Sequence, residues 1–219
     1  MIVTIDGPAA SGKGTVARGI ADRLGFAYLD TGAMYRAVAL AALRAGADCS
    51  DAAAVERLLP DVHIEMPPDR VLLNGGDVTE AIRAPEVSQG ASRVAAVPSV
   101  RAFLVPQQRR IGAGRDMVSE GRDQGTVVFP DAAVKFYVTA DPRVRAERRH
   151  LELVRRGVAT TVERELAELL ERDRRDSDRA DGPLRRPPDA HLIDTSHRTV
   201  EAVLDEMEGV VRRCTTDRA

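Results

Sequence analysis

The sequence predicts an α/β fold in which helices cover a parallel sheet, with a small subdomain inserted into the chain. Short β-branched runs alternate with helical spacing at the start of the chain, and this alternation returns in its second half. Between these two stretches, a group of short strands predicts the insertion. The 219 residues are enough for one domain that carries such an insertion.

The start of the chain predicts a strand, a helix and a second strand. Residues 2–6 form a β-branched run that Gly7 and Pro8 end. Residues 15–24 have helical apolar spacing and stop at Gly25, and residues 26–29 form the next short strand. This order is typical of a βαβ unit in a parallel sheet. A further helix is predicted over residues 33–45.

The pattern changes after residue 60. Residues 62–66 and 70–73 predict short antiparallel strands, with a turn at Asn74 and Gly75. We therefore expect an inserted subdomain over residues 37–97.

The second half returns to α/β alternation. It predicts a helix from Pro98 to residue 111 and strands at 117–119, 135–138 and 191–193. Residues 143–186 contain 13 Arg and 10 acidic residues, which indicates two solvated helices with alternating charge and also suits a mobile cover over an anionic ligand. The expected division is a core of residues 1–36, 98–150 and 181–219, the insertion 37–97, and a lid over 151–180.

Composition excludes several classes of protein. With 43% hydrophobic residues the chain can bury a core, and 34 acidic against 32 basic residues argue against general nucleic-acid binding. Cys49 and Cys214 have the spacing of neither a disulfide framework nor a zinc site. Neither a signal peptide nor an apolar run of membrane-spanning length is apparent, so we expect a cytoplasmic protein without a membrane anchor.

The first candidate site is a glycine-rich loop between the first strand and helix. Gly7, Gly12 and Lys13 fit the phosphate-loop spacing G-x-x-x-x-G-K, in which backbone N–H groups and a lysine bind phosphate oxygens. Lys13 is one of only two lysines among the 32 basic residues. Gly14 occupies the usual Ser/Thr position, so Mg²⁺ would be held by Thr15, by water, or by both. The residues predicted to bind the phosphates of a nucleotide are Gly7, Pro8, Ala9, Ala10, Ser11, Gly12, Lys13, Gly14 and Thr15.

Three further polar clusters follow strands or lie on the predicted charged helices. The cluster from Asp30 to Arg36 follows the second strand, near the sheet edge where ligands bind in open α/β sheets. A capped helix with a surface arginine would also explain it. Residues 119–126 place Arg122 beside Asp123 between two glycines, which a surface ion pair would also explain. In residues 171–179, helical spacing puts Arg172, Asp176 and Arg179 on one face. For Asp173, Arg174 and Arg175 we favour a solvated ion-pair face.

Taken together, these motifs resemble the bacterial cytidylate kinase family. The matching stretches are IDGPAASGKGT, YLDTGAMYR, LNGGDVTEAIRAPEVSQGASRVAAVPSVR, EGRDQGTVVFPDA and ERDRRDSDRADGPL, in the family's order over about residues 1–210. GKGT at the phosphate loop is the form that nucleoside monophosphate kinases show. The resemblance implies a three-layer P-loop fold with a nucleoside-monophosphate-binding insertion and a helical lid.

The same resemblance implies that the chain transfers the γ-phosphoryl group of ATP to CMP or dCMP, with Mg²⁺. We expect the chain to act as a monomer. It implies that Asp123 accepts from the cytosine amine while Arg101 and Ser92 donate to the ring. The implied catalytic residues are Lys13, Arg36, Arg122, Arg172 and Arg179. The implied CMP-binding residues are Thr31, Arg36, Ser92, Arg101, Arg122, Asp123, Arg172, Asp176 and Arg179.

Some features depart from the family, and some alternatives stay open. Gln124 stands where Met or Ile is usual, residues 184–188 are unusually basic and proline-rich, and residues 215–219 match nothing. A UMP, AMP or shikimate kinase on the same scaffold, or a nucleotide sensor without activity, remains an alternative. A GTPase switch is disfavoured because it needs an Asn-Lys-x-Asp motif, and the only asparagine, Asn74, precedes a glycine.

Overall fold

The computed structural model describes the backbone of residues 1–216 and the side chains of residues 1–214. The end of the tail that matched no motif, residues 217–219, lies outside the described residues. The strands are β1 (Ile2–Asp6), β2 (Ala27–Asp30), β3 (Ile64–Glu65), β4 (Leu72–Leu73), β5 (Gly76–Asp77), β6 (Met117–Gly121), β7 (Val134–Thr139) and β8 (His191–Asp194). The helices are α1 (Lys13–Leu24), α2 (Thr31–Arg44), α3 (Ala52–Leu58), α4 (Pro85–Val94), α5 (Pro98–Gly112), α6 (Pro142–Arg155), α7 (Val162–Asp178) and α8 (Val200–Thr216).

A five-stranded sheet has the order β2-β6-β1-β7-β8. β1 runs parallel to both β6 and β7, and β7 runs parallel to β8. The carboxyl ends of β1 and β6 are in register, with Asp6 opposite Gly121. The loops that follow these two strands therefore start at the same edge of the sheet, which is where ligands bind in open α/β sheets.

The first compact unit contains residues 1–28, 114–178 and the chain from Gly182 onward. Its core lies between the sheet and the pair α1 and α8. Fully buried Val3, Ile5 and Phe136 of the strands pack with Ile20 of α1 and Met207 of α8. Burial of this apolar surface is the main stabilising contribution, at about 25 cal/mol per Å².

Helices α6 and α7 of this unit form a packed pair. Asp141 begins α6 by accepting the N–H groups of Arg143 and Val144. Between the two helices the chain passes Gly157, which has φ of 77°. Although α6 and α7 are rich in charge, Arg145, Glu165 and Asp176 are buried, so the prediction of two charged helices is correct but not all of the charge is solvated.

The second compact unit contains residues 29–113 and 179–181. In it α2 packs against α4, and β3, β4 and β5 form a small antiparallel sheet. Gly90 of α4 is required at this contact, because a Cβ there would lie 2.9 Å from the Cys49 sulfur and 3.2 Å from the Ala39 Cβ.

The predicted fold class is confirmed: a parallel sheet with helices and a separate small antiparallel sheet. The first unit ends at Tyr28, within β2, and resumes at Gly114, because α2 and α5 pack with the insertion. The division into a functional core, insertion and lid stays a prediction. Among the described residues, no helix is both long enough and apolar enough to cross a membrane.

Candidate active site

The glycine-rich loop joins the end of β1 to the start of α1. Gly7 lies so close to β7 that a Cβ would stand 2.0 Å from the Val138 carbonyl oxygen. Gly12 precedes α1 with φ of 84°, a conformation that favours glycine. The loop therefore leads into the N-terminus of α1, where the helix dipole favours an anion.

Lys13 folds back along this loop. Its Nζ donates to the Pro8 carbonyl at 3.2 Å. The loop lines a cavity of about 610 Å³ together with Thr15, Glu120 and Arg148. The cavity thus combines backbone N–H groups, an ammonium and a guanidinium, which suits a polyphosphate.

Thr195, which follows β8, is hydrogen-bonded to the loop. Its hydroxyl donates to the Ser11 carbonyl, with an O–O distance of 2.9 Å, and accepts from Arg148 at 2.9 Å. Arg148 also donates to the Thr195 carbonyl at 2.6 Å. Motif reasoning missed both residues, because each is recognisable only from its contact with the loop.

Glu120, at the end of β6, lies against the loop at Gly14. Its carboxylate is 3.2 Å from where a Cβ of Gly14 would stand, and it accepts from the Tyr28 hydroxyl at 3.0 Å. A side chain at Gly14, the usual Ser/Thr position, would therefore require this carboxylate to shift by a few tenths of an ångström.

Asp6 holds the turn that follows β6. Its two carboxylate oxygens accept the N–H groups of Gln124 and Gly125, each at 2.8 Å. Burial raises the pKa of Asp6 to about 7, against the lowering effect of these two N–H groups. Gln124, a departure from the family, is itself bonded, since its Oε1 accepts from the Ser119 hydroxyl at 2.8 Å.

Arg122 and Asp123 are presented by this turn. The Arg122 Nε donates to Asp176 of α7 at 2.8 Å. Burial acts to lower the pKa of Arg122, but Asp176 and neighbouring carboxylates outweigh it and raise that pKa above its usual value. Asp123 is only 2% exposed. Arg172 is half-buried on α7.

Asp173 contradicts the interpretation of a solvated ion-pair face. It accepts the Ala9 N–H at 3.2 Å and pairs with buried Arg145 at 2.5 Å. By contrast, Arg174 is exposed and bonds to Glu171 as that interpretation expects.

In the second unit, the Asp30 carboxylate contacts both the start of α2 and Arg36. It caps α2 by accepting the Ala33 N–H at 2.9 Å, and it pairs with Arg36 at 2.7 Å. Thr31 is buried at the first position of the helix. The capped-helix interpretation is thus correct, and the same carboxylate fixes the guanidinium of Arg36.

Arg101 is the largest fully buried side chain of this unit, 1% exposed. It donates to the Tyr35 hydroxyl at 3.1 Å, and its Nε lies 3.1 Å from Asp181. Ser92 is also buried, on α4. Arg179 belongs to this unit and lies beyond the end of α7 at Asp178, so the expectation that it shares a helical face with Asp176 is wrong.

Comparisons with known sequences agree on one family, and a solved structure shares the fold. The family model described as cytidylate kinase matches residues 3–213. A protein of Solibacter usitatus named cytidylate kinase is 48% identical, over 99% of this chain and 94% of its own length. One of Pelotomaculum thermopropionicum with the same name is 49% identical, over 92% of each chain. The crystal structure of a gluconokinase from Sinorhizobium meliloti 1021 covers 98% of this chain and 93% of its own, with a TM-score of 0.51 and 17% identity, which indicates a shared fold.

Proposed function

We infer that this chain, which belongs to the cytidylate kinase family, is an enzyme that transfers the γ-phosphoryl group of ATP to CMP or dCMP. The products are ADP and CDP or dCDP. The observation that carries this inference is the phosphate loop at the end of β1, which opens on a cavity of about 610 Å³, in a chain matched by the family over residues 3–213.

We propose that the loop from Gly7 to Thr15 binds the triphosphate of ATP. Lys13 already lies along the loop, where its Nζ reaches the Pro8 carbonyl, and a bound phosphate oxygen would replace that weak acceptor. The N–H groups at the start of α1 and the helix dipole add positive potential there. Thr195 and Arg148 support this function, since the Thr195 hydroxyl donates to the Ser11 carbonyl of the loop and accepts from Arg148.

Mg²⁺ would be held mainly by the nucleotide. The described residues contain no group of three or more His, Cys, Asp and Glu side chains arranged to hold a metal ion. Mg²⁺ binds in this way in many phosphoryl-transfer sites, through one or two side chains, water and substrate phosphates. Thr15 is exposed at the cavity and would contribute through its hydroxyl or a water. When bound with ATP, Mg²⁺ offsets the charge of the β and γ phosphates.

We propose acceptor-binding roles for residues of each unit. Arg122 and Arg172 of the first unit would bind the CMP phosphate, with Asp176 orienting Arg122 through their 2.8 Å hydrogen bond. Asp123 would accept from the cytosine amine. From the second unit, Thr31, Arg36, Ser92, Arg101 and Arg179 are proposed as CMP-binding residues, with Arg36 and Arg179 also contacting the transferring phosphate.

The reaction needs no general base. The second ionisation of a phosphate monoester lies near pH ~6, so the acceptor is mostly dianionic at neutral pH. An oxygen of that phosphate attacks the γ-phosphorus, the bond to the bridging oxygen breaks, and ADP leaves. The obstacle is repulsion between two polyanions, which Lys13 and the arginines offset while holding them in line.

We also propose that the chain acts on free nucleotides, as a monomer in the cytoplasm. Its near balance of 34 acidic and 32 basic residues does not favour binding to nucleic acid. Cys49 is buried and Cys214 is half-buried, and neither forms a disulfide, which suits a reducing compartment.

A coupled assay of ADP release tests the proposal. ATP with Mg²⁺ is offered with CMP, dCMP, UMP, AMP or shikimate as acceptor. We expect turnover with CMP and dCMP at a kcat/KM at least about tenfold above that with UMP, since an aspartate facing the uracil carbonyl would lose a buried charged hydrogen bond. Equal turnover with AMP or shikimate, or no ADP release with any acceptor, would overturn it.

A further inference from the structure

Both backbone groups of one phosphate-loop residue, Ala9, are bonded by side chains of α6 and α7. The Ala9 N–H donates to the Asp173 Oδ1 of α7 at 3.2 Å. The Ala9 carbonyl accepts from the Arg145 Nη1 of α6 at 3.0 Å. A loop residue outside regular structure needs partners of this kind for its peptide groups, since unpaired buried groups are costly.

These two side chains also bond to each other. The Arg145 Nη1 donates to the Asp173 Oδ2 at 2.5 Å, and its Nε donates to the Ala140 carbonyl at 3.1 Å. Arg145 is 4% exposed, so its charge has little access to water. With its acceptors arranged around it, the guanidinium is fixed in one orientation, and the orientation of the Ala9 peptide follows from it.

Apolar contacts of the Ala9 side chain reinforce this arrangement. Ala9 packs in a small buried cluster with Ala146 of α6 and Leu169 of α7. The cluster and the ion pair therefore act on the same residue, one through its side chain and the other through its peptide groups.

The pair also links the loop to functional candidates on α7. Asp173 directly follows Arg172 and lies three residues before Asp176, which bonds Arg122. A shift of α7 along its axis would therefore move the loop peptide and these candidates together.

From these contacts we propose that Arg145 and Asp173 are positioning residues that hold the phosphate loop in the shape that binds the donor triphosphate and fix its distance from α7. This rests on the proposed function, since it takes the loop as the ATP site. Neither residue needs to touch a substrate. A misplacement of about 1 Å at a phosphoryl-transfer site is enough to slow turnover strongly.

The first test is Asp173→Asn, a variant that keeps the size of the side chain but removes its charge. ATP and CMP binding are each measured by titration calorimetry, and steady-state kinetics give kcat and both KM values. We expect ATP binding to weaken and kcat to fall, each by about tenfold, while the dissociation constant of CMP alone stays within about twofold. Glu171→Gln is the matched control, because it removes an exposed ion pair with Arg174 from the same helix, and we expect no change in either binding constant.

A double variant separates positioning from stability alone. In Arg145→Met with Asp173→Leu both charges are absent, so no buried charge is left unpaired, and we expect a smaller loss of unfolding stability than in either single variant. The Ala9 peptide still lacks its partners, so we expect ATP binding to stay weakened by about tenfold.

If ATP binding and kcat recover together with stability, or if Asp173→Asn binds ATP as tightly as Glu171→Gln, the pair is structural only and the inference is wrong. A failure of the proposed function looks different, since the unmodified chain would then not bind ATP in the same calorimeter.

Discussion

Arg122 donates its Nε–H to Asp176 at 2.8 Å, and this bond joins the turn after β6 to the last turn of α7. Asp176 is 3% exposed, so the ion pair is shielded from water. Burial alone would lower the pKa of Arg122, yet the Asp176 carboxylate and its neighbours raise it, and the guanidinium stays charged at any working pH. Asp176 therefore determines the orientation of the Arg122 guanidinium.

We predict that Asp176→Asn lowers kcat/KM for CMP by about tenfold, because the neutral amide orients Arg122 less firmly. ATP binding, measured by calorimetry, should change by less than about twofold, since no donor contact is assigned to Asp176. Asp178→Asn is the matched control, as Asp178 is exposed and lies 3.7 Å from Arg174. Equal loss of CMP and ATP binding in Asp176→Asn would contradict the assignment.

Asp123→Ala tests whether the Asp123 carboxylate recognises the cytosine base. The carboxylate is buried, so it would discriminate between the cytosine amine and the uracil carbonyl by about 1.5 to 3 kcal/mol. We predict that the ratio of kcat/KM for CMP to that for UMP falls by roughly ten- to a hundredfold, with ATP binding little changed. The idea fails if both nucleotides and ATP weaken to the same extent.

Asp6 predicts a pH dependence of stability. Its pKa in the folded chain is about 7, raised from 3.8 mainly by burial. The folded state therefore keeps its proton where the unfolded state loses it, so the contribution of Asp6 is most favourable below pH ~4 and is lost as the pH rises to about 7. The shift of about three pKa units corresponds to a loss of about 4 kcal/mol.

The measurement is urea unfolding of the unmodified chain and of Asp6→Asn at several pH values from 4 to 8. The difference in unfolding free energy isolates Asp6 from the other carboxyl groups. As the pH rises from 4 to 7, the unmodified chain should lose stability relative to Asp6→Asn, and the difference should level off towards pH 8. A difference that is flat over this range would show that Asp6 titrates normally.

The approach of Gly7 to β7 predicts a large cost for one added methyl group. A Cβ at Gly7 would lie 2.0 Å from a backbone oxygen, so Gly7→Ala must move backbone and should destabilise the fold by at least about 3 kcal/mol. Gly46→Ala is the control: Gly46 has φ of 70° with open space around it, and should cost only about 1 kcal/mol of backbone strain. Thermal unfolding of the two variants checks this, and equal costs would refute the steric argument.

The β1 strand, the phosphate loop and α1 were predictable because local chemistry determines them. A β-branched run, two glycines and a lysine at fixed spacing require neighbours only a few residues away. Helix α8 was not predicted, although Val203, Met207 and Val211 have helical spacing and pack into the core. Helix α4 had a weaker signal, since Gly90 and two serines lower its helix propensity and its packing against α2 compensates.

The environments of single charged residues were less predictable. Spacing placed Arg179 on the helix with Asp176, but α7 ends at Asp178, just before Gly182 and Pro183 stop any continuation. Asp173 stands in a run of charges that favoured a solvated face, and only the tertiary packing of α6, α7 and the loop shows that it is bonded to Ala9 and Arg145. Sequence periodicity gives the face of a helix but not what covers it.

The most direct test of the central claim follows a label from donor to acceptor. ATP labelled in its γ-phosphate is incubated with Mg²⁺, CMP and the protein, and the products are separated by chromatography. The account predicts that the label appears in the β-phosphate of CDP, with ADP formed in equal amount. Label found only in inorganic phosphate, or retained in ATP while CMP stays unchanged, would contradict it.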